Sequence, residues 1–217
     1  MTDINYPIEQ RLALAHAGTA VRPLLRTFIA LDQRLAQFVS QTKESMLTQM
    51  RIAWWRDQFG KAAADRPTGD PVLDSLTQYW LGEEASLTAL VDGWEGLLAE
   101  PPLPESAAME FAEGRGQCFA AIARLSGHSA AGDAAQSAGE TWALADLAAR
   151  MSSAEEREFV VEAAHKRISN LVSLPRQLRA LTILGKLGRR ALDDGGRPLI
   201  TGRTDLLLIS RVGLFGW

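Results

Sequence analysis

An all-α bundle in one domain is the fold class this sequence predicts, on three observations. Apolar residues recur at helical spacing through almost the whole chain, and nothing alternates with the period of two that a half-buried strand shows. Breaker and cap sequences divide that pattern into helix-length pieces. The stretch 46–59, MLTQMRIAWWRDQF, carries two adjoining apolar stripes, Leu47, Met50 and Trp54 beside Ile52, Trp55 and Phe59. A double stripe is wide enough to predict an interior helix packed on more than one side. At 217 residues the chain can bury a full core as one domain without disulfide or metal staples.

A first short helix is expected over about 7–17, stopped by Gly18. The next turns Leu24, Leu25, Phe28, Leu31, Leu35 and Phe38 inward. The central helix follows over about 43–63, with Arg51, Arg56 and Asp57 on a narrow polar strip. DRPTGD at 65–70 breaks the pattern, and Asp70 then Pro71 make an N-cap with proline at the first helical position. The helix it opens faces Val72, Leu73, Leu76, Tyr79 and Trp80 inward. Residues 83–98 follow with Leu87, Leu90, Val91, Trp94 and Leu98 inward, then a rigid PPLP connector at 101–104. Residues 105–125 read as helix in spite of Gly114 and Gly116. Interior glycines cost about 1 kcal/mol each against alanine, so these two mark a close approach. An alanine-rich helix is expected over about 132–151. Ser153-x-x-Glu156 is a capping box opening a helix to about Val172. Pro175 starts another with Leu178, Leu181, Leu184 and Leu187 inward, and a last apolar helix covers about 204–215. Nine or ten helices are expected in all.

Composition excludes several classes. A charged fraction of 23% and a net charge of −3 are ordinary for a soluble cytoplasmic protein. One cysteine, Cys118, rules out an internal disulfide framework. No apolar run approaches the roughly 18 residues that span a bilayer, and the start, MTDINYPIEQ, lacks the apolar stretch of a signal peptide. Charge is unevenly placed: 13 Lys+Arg stand against 23 Asp+Glu through His165, and ten against three from Lys166 onward. Such asymmetry implies either a basic surface for an anionic partner or two halves that complement each other within one fold.

Chemistry-bearing patterns are few. Glu162 and His165 form a Glu-x-x-His, but di-iron bundles need two such helices and two further inward glutamates; His165 reads as a surface or boundary residue, and no metal site is expected. His16 and His128 lie beside glycines in turn-like sequence. Cys118 sits in apolar QCFAAIA, where a free cysteine acts as a small hydrophobe. EGRGQ at 113–117 has no preceding strand and reads as packing, not as a phosphate loop. Nucleic-acid binding is not expected, because aromatics are almost absent from the basic C-terminal part until Phe215 and Trp217. Arg203 and Arg211 flank Leu206, Leu207, Leu208 and Ile209, which suits either a final core helix or a peripheral membrane contact.

Three segments, taken in order, resemble the squalene/phytoene synthase family. RPLLRTFIALDQRLA at 22–36 is followed by RIAWWRDQF and DPVLDSL, similar to that family's opening helices. EFAEGRGQCFAAIARLSG at 110–127 resembles the glycine-bearing helix lining the prenyl pocket, and LPRQLR at 174–179 resembles a segment near the family's end. The resemblance implies an isoprenoid-synthase type of bundle. Catalytic members hold Mg²⁺ on two helices whose aspartates, four residues apart, share a face and bind a prenyl diphosphate. Laid on this chain, the first motif falls around Ala36, Gln37 and Ser40, with Asp32 alone nearby. The second falls around Arg150, four residues after Asp146, and the family's pocket arginine falls at Glu113.

Both acidic clamps are therefore missing by this reading. The WW helix and the apolar C-terminal helix are similar to the branch that includes a mitochondrial complex I assembly factor. The resemblance thus implies a non-catalytic binding or assembly factor, with no cofactor and no catalytic residue. A retained pocket for an isoprenoid or lipid would involve Trp54, Trp55, Gly116, Phe119 and Trp142. A protein partner or membrane surface would be met by Arg189, Arg190, Arg203 and Arg211, in the cytoplasm or at the inner membrane. The alternative is a divergent Mg-dependent prenyl-diphosphate synthase with relocated acids, Glu158 with Glu162 or Asp146 with Glu140.

Overall fold

The computed structural model describes residues 6–41, 45–168 and 173–216. Among these the chain forms ten α-helices and no strand, the all-α bundle that the periodicity predicts. They are α1 (Ile8–His16), α2 (Val21–Gln41), α3 (Ser45–Phe59), α4 (Pro71–Tyr79), α5 (Glu84–Gly96), α6 (Glu105–Leu125), α7 (Gly132–Arg150), α8 (Ala154–Arg167), α9 (Arg179–Asp193) and α10 (Arg203–Phe215).

Four of them build a central slab in the order α5, α6, α7, α9. Glycine makes it thin. A Cβ on Gly188 of α9 would lie 2.8 Å from Trp142 Cα, and one on Gly139 of α7 would lie 2.9 Å from Gly116 Cα. Gly114 of α6 meets the Ala89 backbone of α5 in the same way. The close approach expected of the α6 glycines is thus made on both sides of that helix. Around the slab, α2 crosses α4, α5 and α6, α3 lies on α5, α8 on α7, and α1 and α10 lie on α9.

Phe28, Trp80, Phe119 and Trp142 tie α2, α4, α6 and α7 together, with Phe28 5.8 Å from Phe119 and 6.2 Å from Trp142 between ring centroids. The Trp80 indole N–H donates to Leu24 O at 3.3 Å, which satisfies its one polar atom in the interior. Asp70 caps α4 as its sequence predicts. Its Oδ1 accepts from the amides of Val72 and Leu73 at 2.9 and 3.1 Å, while its Oδ2 accepts from Arg34. Ser153 Oγ likewise accepts from Glu156 N at the start of α8.

Two inward assignments are corrected. In α3, Ile52, Trp55 and Phe59 are buried, but Met46 is 74% exposed, Met50 65%, and Leu47 and Trp54 39% each. The helix packs on one side only, so it is not interior. Periodicity tells which residues share a face, not whether each face meets protein. Tyr79 is also exposed: α4 ends there, and Trp80, one residue on, fills the buried position. The predicted end of α8 near Val172 lies outside the described residues; the helix itself ends at Arg167.

Candidate functional site

The interior contains a charged cluster built on Arg115. This residue lies in α6 between Gly114 and Gly116 and is fully buried. Its Nε donates to Asp32 Oδ1 at 2.9 Å and its Nη2 to Asp32 Oδ2 at 2.8 Å, a bidentate pair with α2. Its Nη1 donates to Asp146 Oδ2 of α7 at 2.8 Å. The Trp94 indole of α5 supplies a third donor to Asp32, at 2.9 Å, and Arg150 Nε donates to Asp146 Oδ1 at 3.0 Å. The guanidinium carbon lies 4.3, 4.4 and 5.3 Å from the ring centroids of Trp142, Phe111 and Trp94.

The local pattern is the same on each helix. Phe28 precedes Asp32, Phe111 precedes Arg115 and Trp142 precedes Asp146 by four residues, so on each helix an aromatic and a charge share one face. The aromatics seal the charges from water, and the charges find one another.

Burial and pairing pull these groups in opposite directions. Complete burial raises Asp32 above the usual aspartate range, against the attraction of Arg115 and the hydrogen bonds of Arg115 and Trp94. Burial acts the same way on Asp146, yet Arg115 and Arg150 together bring it below that range. Burial would lower Arg115, but the two aspartates outweigh it and raise its pKa. Two carboxylates and two guanidinium groups make the cluster neutral. Glu9 of α1, buried near it, is raised by desolvation.

Beside the cluster lies a cavity of about 410 Å³ between α2, α5 and the end of α7. Trp94 and Arg150 belong to both. Gln33, Gln37 and Ser40 are polar residues of its lining, and Leu97, Leu103, Leu147 and Met151 are apolar ones. The Gln33 Nε2 amide on its wall is buried without a hydrogen-bond partner. Leu103 and Glu156 are shared with a second cavity, of about 400 Å³, that reaches Phe159 and Val160. Ala36, Gln37, Ser40 and Arg150, where the resemblance would place the synthases' acidic motifs, all line the first cavity.

Those residues do not fit a magnesium cluster. Asp32 and Asp146 spend their oxygens on Arg115, Trp94 and Arg150, and among the described residues Glu156 is the one acid on the cavity wall. Among the described residues no three of His, Cys, Asp and Glu converge. The relocated acids of the alternative reading do not pair in the cavity either. Glu158 and Glu162 are exposed on α8, with Glu162 bonded to Lys166, while Glu140 accepts from Gln136 and Arg167. His165 is exposed.

The residues expected to line a pocket take other places. Phe119 and Trp142 stack on each other at 5.6 Å inside the core. A Cβ on Gly116 would lie 2.7 Å from Glu140 Cγ. Trp55 is buried under the Arg34 guanidinium, and Trp54 stands half-exposed at its edge. None of the five lines either of these two cavities. Cys118 is buried and its thiol pushed up by desolvation, in keeping with a packing role.

Of the basic residues, Arg189 pairs with Asp193, Arg190 with Asp205, and Arg203 is exposed. Arg190 and Arg211 line a groove between α9 and α10.

Glu113, matched to the family's pocket arginine, is exposed and accepts from Gln117. Two residues on stands Arg115, whose place the sequence reading missed. Its one signal was an arginine set between two glycines. No family model, no curated protein and no solved structure matches this chain.

Proposed function

We propose that this chain is a non-catalytic binding or assembly factor of isoprenoid-synthase type, whose cavity beside Arg150 takes the tail of an isoprenoid or lipid. The observation that carries the reading is the Asp32–Arg115–Asp146 cluster. Ionising a prenyl diphosphate needs acids left free to gather metal ions against its charge. Here both aspartates of the cluster are neutralised by arginines of the same chain. The cavity still suits an amphiphile, since its wall combines Arg150 and Gln33 with leucines and Met151.

The test is incubation with farnesyl or geranylgeranyl diphosphate and Mg²⁺, followed by diphosphate release. No release above the buffer rate is expected. Turnover at enzyme-like rates would overturn the reading in favour of a prenyl-diphosphate synthase with relocated acids.

A further inference from the structure

We infer that the α9–α10 edge is a docking face for an anionic phospholipid surface. α10 is only 13 residues long, and no helix among the described residues is long and apolar enough to cross a membrane. It buries Asp205, Ile209, Val212 and Gly213 against the bundle, and turns Leu207 (67% exposed), Leu214 and Phe215 outward. Arg203, Leu207, Arg211 and Leu214 follow one another by three or four residues, so leucines and arginines alternate along one exposed ridge.

A groove of about 490 Å³ runs beside that ridge. Lys186 and Arg190 of α9 stand on one wall, and Thr204, Leu207 and Arg211 of α10 on the other.

Charge says what covers this face. The basic C-terminal part does not discharge itself wholesale against the acidic part. Arg189, Arg190 and Arg197 pair with Asp193, Asp194 and Asp205 of their own segment, and Arg176 and Arg179 donate to backbone carbonyls. Lys166 with Glu162 and Arg167 with Glu140 join the two parts. Among the described residues Lys186 and Arg203 have no carboxylate partner. Cations beside an outward apolar ridge on a short helix are the arrangement of a helix lying in a bilayer interface. Leucine and phenylalanine enter the acyl boundary while lysine and arginine meet phosphate. An apolar protein groove would satisfy the leucines and leave these cations desolvated.

The experiment is co-sedimentation of the whole chain with vesicles of pure phosphatidylcholine and with vesicles containing a third phosphatidylglycerol, at low and physiological salt. Binding to the anionic vesicles at least tenfold above the neutral ones, weakened by salt, is expected. Leu207→Asp with Leu214→Asp, both exposed, is expected to reduce it at least tenfold, and Lys186→Glu with Arg203→Glu to reduce it similarly. Met50→Asp, on the exposed stripe of α3, is expected to leave it unchanged. Circular dichroism melts confirm that each variant folds. Equal binding to both vesicle types, loss through Met50→Asp, survival of binding in either double variant, or full competition by millimolar glycerophosphate would each overturn the inference.

Discussion

Two charge clusters in this molecule are mirror images. In the core a cation, Arg115, is held between two aspartates, and a second arginine caps the set. At the α9–α10 edge an anion, Asp205, is held between Arg190 and Arg197. Both central residues are fully buried. The difference lies in their partners. Arg115 and Asp32 are both sealed from water, whereas the edge arginines keep 38% and 19% of their side chains exposed. Asp205 is also held by the amides of Thr201 and Gly202, at 2.9 and 3.2 Å, so its charge caps a helix start as well as pairing. A buried ion pair is valuable chiefly because breaking it strands a charge, and that penalty depends on how much water can return.

Removing the central cation is the harshest way to break the comparison. Arg115→Met leaves two acids in the interior, with an expected loss of about 3–5 kcal/mol. That corresponds to a fall of roughly 6–20 °C in the melting temperature of a chain this size. Adding Asp32→Asn and Asp146→Asn to the same protein is expected to restore at least half of the loss. A fall of under about 1 kcal/mol for the single variant would show that the cluster holds nothing together.

The edge cluster should tolerate more. Asp205→Asn keeps an acceptor for the Thr201 and Gly202 amides ahead of α10 and frees two arginines that water already reaches. Its expected cost is about 1–2 kcal/mol by chemical denaturation. A cost equal to that of Arg115→Met would erase the distinction.

The smallest effect is in acid. Desolvation would raise Asp205, but the Thr201 amide, Arg197 and the Gly202 amide more than offset it and hold it below its ordinary range. Its contribution is therefore present above about pH 4 and lost as pH falls further, through the folded-state value. In the core the signs oppose. Asp146 is depressed and loses stability in the same window, while Asp32 is raised and relieves the fold as it takes up its proton. Asp205→Asn should thus flatten the acid limb of stability, read as guanidinium midpoints at pH 5 and pH 3. An unchanged slope would place the acid sensitivity elsewhere.

Much of the architecture was legible because local chemistry and packing agree. Asp70-Pro71 starts α4, Ser153 starts α8, and the leucines of α2 and α9 face inward as their spacing predicts. The α3 face was not legible. Leu47, Met50 and Trp54 look like core by type and period, and only the tertiary arrangement shows that no helix among the described residues covers them. Arg115 was hidden for the opposite reason: an arginine on a helix is usually solvated, so its flanking glycines read as packing alone. They do serve packing, and the same thin contacts help seal the charge they flank. In sequence Asp32 and Asp146 were only lone acids near the places where the resemblance would put the synthases' aspartate motifs. What holds them in place was visible only in three dimensions.

The glycine contacts of α6, α7 and α9 have a consequence for motion. Helices that touch through main chain have no side-chain layer to repack, so neither a one-turn slip nor an inserted guest is open to them without prising the backbones apart. Adaptation to a visitor falls to the outer helices, with the slab as the stationary frame they move against.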